Sequence, residues 1–172
     1  MTLDKVYEAT IKLGFVSTTG DPEGEIQSFP TRAASGRPVA TGDRRSSSRC
    51  RAPEVPRLET IESLLQTFTG EVEQRPPKFS AIKINGQRAY KLARKGQEFE
   101  MPSRKVTIYK IEILEYDYPI LKIRCLVSSG TYIRTLAEDI GEKLGTGAYC
   151  EALRRLKIGE YDVKDAEKLP EM

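Results

Sequence analysis

A chain of 172 residues, 38% hydrophobic and 31% charged, is one domain by length and large enough to bury a core. It holds no apolar run near the roughly 18–20 residues of a membrane span and no histidine. A Cys/His zinc site and any Ser/His or Cys/His triad are therefore excluded. The N-terminus has no basic-then-apolar signal layout, which makes a cytoplasmic location the expectation.

Residues 4–16, DKVYEATIKLGFV, alternate: Tyr7, Ala9, Ile11, Leu13 and Phe15 share one face, so a half-buried strand is predicted. TTGDPEGE follows as a turn-rich stretch. Residues 27–57 have no periodicity and are rich in Ser, Ala, Gly, Pro and Arg, the composition of a flexible insertion. Leu58, Ile61, Leu64, Leu65 and Phe68 predict a helix over about 57–69, with Gly70 at its C-terminal cap. FSAIKI reads as a strand, Asn85-Gly86 as a tight turn, and residues 88–95 as a short basic helix stopped by Gly96. Residues 104–116 and 120–128 predict a hairpin around Asp117–Pro119. A phase change between Val106/Ile108 and Ile111/Ile113 predicts a bulge in its first strand. Cys125 falls on the inward face of the second strand, a core residue rather than a reactive thiol.

The segment SSGTYIRTLAEDIGEKLG (128–145) divides at Thr135. Thr135 and Glu138 fit a Ser/Thr-x-x-Glu capping box. Leu136, Ala137, Ile140 and Leu144 supply an apolar stripe, and Gly145 ends the helix. Residues 130–134 then read as a strand tail from which Tyr132 and Arg134 emerge on the same side. A second helix is predicted over about 148–157. The sum is an α+β domain: a mixed, mostly antiparallel sheet with packed helices.

The charge distribution adds a partner. Residues 75–97 hold seven Lys or Arg and no acid, and residues 28–57 hold seven Arg against two acids. Positive charge concentrated on an otherwise acidic chain points to a polyanion, nucleic acid first.

The runs RPPKFSAIKINGQRAYKLARKG, SSGTYIRTLAEDIGEKLGTGA and ALRRLKIG, with DKVYEATIKLGFVSTTGDPEGEI ahead of them, resemble the TruB family of tRNA pseudouridine synthases in four motifs and in the family's order. The resemblance implies the pseudouridine synthase catalytic-domain fold. It also implies an enzyme that isomerises a T-loop uridine of tRNA to pseudouridine without cofactor or metal. It further implies tRNA as partner, no membrane, and a monomer when complete. Carried over by motif, Tyr7 would stack on the target base, Tyr132 would line the pocket, and Leu153 would contact the substrate. Arg134 would be the partner of the nucleophilic aspartate. Lys78, Lys83, Arg88 and Lys91 would contact RNA phosphates.

Three departures qualify the resemblance, one being Tyr149 where the family usually has a histidine after Gly-Ala. The family's nucleophile sits in a Gly-Thr-Leu-Asp-Pro motif upstream of the Lys-x-Tyr strand, and these 172 residues contain no such motif. The expectation is therefore an incomplete catalytic domain, N-terminally truncated and lacking the nucleophile. The lookalike Thr19-Gly20-Asp21-Pro22 falls after that strand, where the family has a surface turn, so Asp21 is not expected to serve instead. Residues 27–57 are also longer than the family's connection, as a genuine loop or a reading-frame artefact would be. The alternative functions are a non-catalytic RNA-binding module derived from the same fold, and an unrelated α+β nucleic-acid-binding domain.

Overall fold

The computed structural model describes residues 3–29, 55–77, 79–84, 86–94, 96–97 and 99–166. Most of the predicted 27–57 insertion lies outside them, as do Lys78 and Asn85. In chain order the elements are β1 (Lys5–Leu13), β2 (Phe15–Ser17), β3 (Ile26–Ser28), α1 (Leu58–Thr67), β4 (Gly70–Gln74), β5 (Lys83–Ile84), β6 (Gln87–Arg88) and α2 (Ala89–Arg94). There follow β7 (Arg104–Asp117), β8 (Ile120–Val127), α3 (Ile133–Leu144), β9 (Ala148–Ile158), β10 (Tyr161–Asp162) and a 3₁₀ turn at Val163–Asp165.

Six strands form one sheet in the order β10-β9-β1-β8-β7-β4, and every ladder in it is antiparallel. The predicted α+β class with a mostly antiparallel sheet is what the chain forms. Alternation puts Ala9, Ile11 and Leu13 of β1 on one face with Leu121, Ile123, Cys125 and Val127 of β8, all fully buried. Against that face lie Ile61, Leu65 and Phe68 of the α1 segment and Ile133, Leu136, Ala137 and Ile140 of α3. Cys125 is a core residue, as predicted. Burial pushes its thiol up to about 12, so it is protonated and inert.

The expected bulge in β7 is present. The register slips at Tyr109, and a second slip follows at Leu114. Their effect differs from the simple phase change read from sequence. Ile108 pairs with Val127, Ile111 with Cys125 and Ile113 with Ile123, so the bulge returns all three isoleucines to the core face.

Five expectations are corrected. Residues 148–157 form strand β9, not a helix. The Ala/Leu/Arg composition favours helix, but pairing with β1 on one side and β10 on the other overrides propensity. Helix α3 starts at Ile133 with Tyr132 as N-cap, not at Thr135. Thr135 is buried in the first turn, its hydroxyl donating to the Arg75 carbonyl at 3.4 Å, so the Thr-x-x-Glu pattern is no capping box. The strand ends at Val127, before Gly130 at φ +90°, so residues 130–134 are not a strand tail. Of FSAIKI only Lys83–Ile84 is strand, paired with Gln87–Arg88.

Gly70 opens β4, which sequence periodicity did not indicate, instead of capping α1, whose C-cap is Phe68. Helix α3 ends as expected, at Gly145 with φ +71°. Its Gly141 meets the start of β9 backbone to backbone. A Cβ there would run into the Ala148 nitrogen and the Gly147 carbonyl carbon, so this helix can dock so closely only with glycine.

Candidate active site

The junction of β8 and α3 organises the site. Tyr132 is half-buried, and its backbone is held by one side chain: the Tyr132 N–H donates to Gln74 Oε1 at 3.0 Å, and Gln74 Nε2 donates to the Tyr132 carbonyl at 3.4 Å. Gln74, at the end of the edge strand β4, is only 3% exposed. A buried amide satisfied on both atoms fixes the N-terminus of α3 in place of a side-chain cap.

Two residues on, Arg134 leaves the first turn of the helix and is half-buried. Its Nη1 donates to Asp21 Oδ2 at 2.5 Å and to the Thr19 carbonyl at 3.3 Å, and its Nη2 donates to the Phe79 carbonyl at 3.1 Å. A guanidinium has five N–H donors; the remaining two make no hydrogen bond among the described residues. Asp21 also accepts from Thr19 Oγ1 at 2.5 Å and from the Glu23 N–H at 3.1 Å. Burial alone would raise the Asp21 carboxyl, but the bonds from Thr19, Arg134 and Glu23 outweigh it and hold the group below the usual aspartate range. Asp21 was not expected in the site, yet it is the carboxylate that Arg134 engages. The turn it sits in is fastened by the Cys150 N–H, which donates to the Gly20 carbonyl at 3.0 Å.

Glu138, one turn beyond Arg134 on α3, packs on this turn. A Cβ on Gly20 would come within 2.5 Å of Glu138 Oε1. Burial pushes the Glu138 carboxyl up, Asp139 and Asp21 add to the rise, and Arg134 opposes it. Cys150, under the same turn, is buried and raised to about 11.

The remaining expected residues fall in two places. Tyr7 and Leu153 share one sheet face, because Tyr7 stands opposite Arg155 and Ala9 opposite Leu153 in the β1–β9 ladder. Tyr7 is half-buried against the core, whereas Leu153 is 47% exposed and is no core leucine. Lys83 and Arg88 face each other across the β5–β6 hairpin, and Lys91 lies on α2; all three are exposed. Like charges directly opposite are unfavourable without an anion, which suits a polyanion surface. Lys78 lies outside the described residues.

An antiparallel sheet with helices on one face is an architecture shared with known proteins. The family model for the N-terminal domain of TruB family pseudouridylate synthases matches residues 31–133, and that for the tRNA pseudouridylate synthase B C-terminal domain matches residues 134–172. The chain belongs to the TruB family. It is 42% identical over 171 residues to tRNA pseudouridine synthase B of Francisella tularensis subsp. novicida (strain U112), covering 98% of this chain and 49% of that protein. It is 43% identical over 157 residues to tRNA pseudouridine synthase B of Parabacteroides distasonis, covering 91% and 57%. The chain thus spans about half the length of the curated relatives it matches. Among solved structures, a chain in the crystal structure of a Cbf5-Nop10-Gar1 complex superposes with a TM-score of 0.56 at 27% identity, over 93% of this chain and 32% of that one. The boundary between the two family matches falls inside the first turn of α3 and separates no structural units, since β9 lies beside β1 in the same sheet.

Proposed function

We propose that this chain is part of a tRNA pseudouridine synthase that isomerises a T-loop uridine, with the nucleophilic aspartate not among these 172 residues. The observation that carries the reading is the Arg134 assembly. An arginine anchored by one carboxylate and two carbonyls, with two N–H donors unused among the described residues, is suited to take a second carboxylate and keep it ionised. In this reading Asp21 is a positioning residue that aims Arg134.

The reaction requires the target base to leave the stack, detach, turn and reattach through carbon. A pocket must therefore hold a free uracil between apolar and aromatic surfaces. Tyr7 supplies the stacking face, worth about 1–3 kcal/mol per base, Tyr132 a pocket wall, and Leu153 an apolar contact. Lys78, Lys83, Arg88 and Lys91 contact phosphates and make binding salt-dependent. The chain acts in the cytoplasm on tRNA, as a monomer when complete, and without cofactor or metal. Among the described residues no helix is long and apolar enough to cross a membrane.

The binding half of the reading is tested by competing labelled tRNA with bulk RNA on the 172-residue chain. Displacement by tRNA at far lower concentration than by bulk RNA is expected; equal displacement would indicate an unspecific nucleic-acid domain. A second reading, a non-catalytic RNA-binding module, is favoured by one observation: Arg134 already has a carboxylate partner in Asp21.

A further inference from the structure

Because residues 148–158 are a strand and not a helix, Arg154 and Arg155 point to opposite faces of the sheet. In the β1–β9 ladder Arg154 stands across from Glu8, and Arg155 across from Tyr7. Arg154 makes no ion pair among the described residues, but Glu8 on its face is approached by Arg124 at 3.4 Å and Lys122 at 4.0 Å, so that face is one of mixed charges. Among the described residues the Arg155 face carries no such acidic partner. Arg155 is exposed, makes no ion pair among the described residues, and has Leu153 beside it along the strand.

The neighbours on that face share a character. Lys5 lies two residues before Tyr7 on the same side, its Nζ donating to Ser129 Oγ at 3.2 Å. Tyr161 of β10 stands opposite Ile158, which stands opposite Lys5, and is 78% exposed. Two cations interleaved with two aromatic rings and a leucine make a surface for a polyanion with flat bases.

We propose that Arg155, and not its neighbour Arg154, binds an RNA backbone phosphate next to the base that stacks on Tyr7. The inference rests on the RNA reading of the site given above and assigns a residue which that reading did not. Arg155 touches phosphate only and takes no part in bond making.

The test is a salt series of binding between the 172-residue chain and a T-arm stem-loop RNA, for the unsubstituted protein, Arg155→Gln, Arg154→Gln and Arg155→Lys. Each phosphate contact contributes about 0.7–0.9 to the slope of log affinity against log salt. Arg155→Gln is expected to lower the slope by about that amount, with Arg154→Gln and Arg155→Lys unchanged and all four melting alike by circular dichroism. An unchanged slope in Arg155→Gln, an equal fall in Arg154→Gln, or a fall in Arg155→Lys would each overturn the inference while leaving the RNA reading intact. Failure of the unsubstituted chain to bind the RNA would overturn that reading, and the inference with it.

Discussion

Arg134 and Asp21 form the closest charged pair of the site, 2.5 Å apart with each side chain about three-quarters buried. The Asp21 carboxyl is held below its unfolded value, so its contribution to stability is fully present above the ordinary aspartate range. That contribution is lost as the pH falls through the lower folded value. Asp21→Asn is therefore expected to flatten the acid limb of the stability-pH curve. Chemical denaturation at a series of pH values checks this, and an acid limb unchanged by the substitution would count against the pair. Gln74 acts on the neighbouring residue. Gln74→Leu leaves the Tyr132 N–H without its partner, a loss of about 1–3 kcal/mol that urea unfolding would register. Asp21 stood out in the sequence only as a lookalike nucleophile, set aside for its place after β1, and Gln74 did not stand out at all. Asp21 sits in an ordinary turn motif and Gln74 in a short polar strand, and only the fold brings them to Arg134 and Tyr132 across 113 and 58 residues.

At the scale of elements, α3 carries two opposed demands. Its Gly141 lets it touch β9, and Gly141→Ala places a methyl against rigid backbone that no rotamer can avoid. A loss of about 1–3 kcal/mol is expected, measured as a lowered melting temperature. Asp139 on the same helix is raised by burial first and by Glu142 next, with Lys143 opposing. Its folded value lies above its unfolded one, so the stability it contributes is present at low pH and lost as the pH rises through the folded value. Asp139→Asn is expected to raise the melting temperature at neutral pH and to have no effect at a pH below the ordinary aspartate range; the same two-pH melt checks both. Strands β1, β7 and β8 and helix α1 were legible because their apolar periodicity agrees with their tertiary role. β9 was not, because AYCEALRRLKI has helix-forming composition and becomes a strand chiefly through β1, more than a hundred residues earlier, with β10 pairing only its end. The start of α3 was misread for a related reason: Thr135 satisfies its hydroxyl on Arg75 instead of on its own helix.

At the scale of the whole molecule, a charge-balanced outer face of the sheet is separated from the face that packs the helices and that also carries Tyr7, Leu153 and Arg155. Family membership was legible because its motifs are contiguous: Tyr7, Tyr132, Arg134 and Leu153 each lie in a recognisable run. The relation between them was not, since it depends on strand register and on where α3 begins. The site holds an anchored arginine with two N–H donors that make no hydrogen bond among the described residues, and the central claim is that it awaits the family's aspartate. The most direct test is tritium release from tRNA labelled at uridine C5, comparing the 172-residue chain with a chimera in which a relative's Gly-Thr-Leu-Asp-Pro segment precedes it. Release by the chimera alone, reduced about 100-fold or more by Arg134→Lys, is the expected result. Release by the 172-residue chain itself, abolished by Asp21→Ala, would contradict it and make Asp21 the nucleophile. A chimera that binds tRNA but releases nothing would leave an RNA-binding module in place of an enzyme.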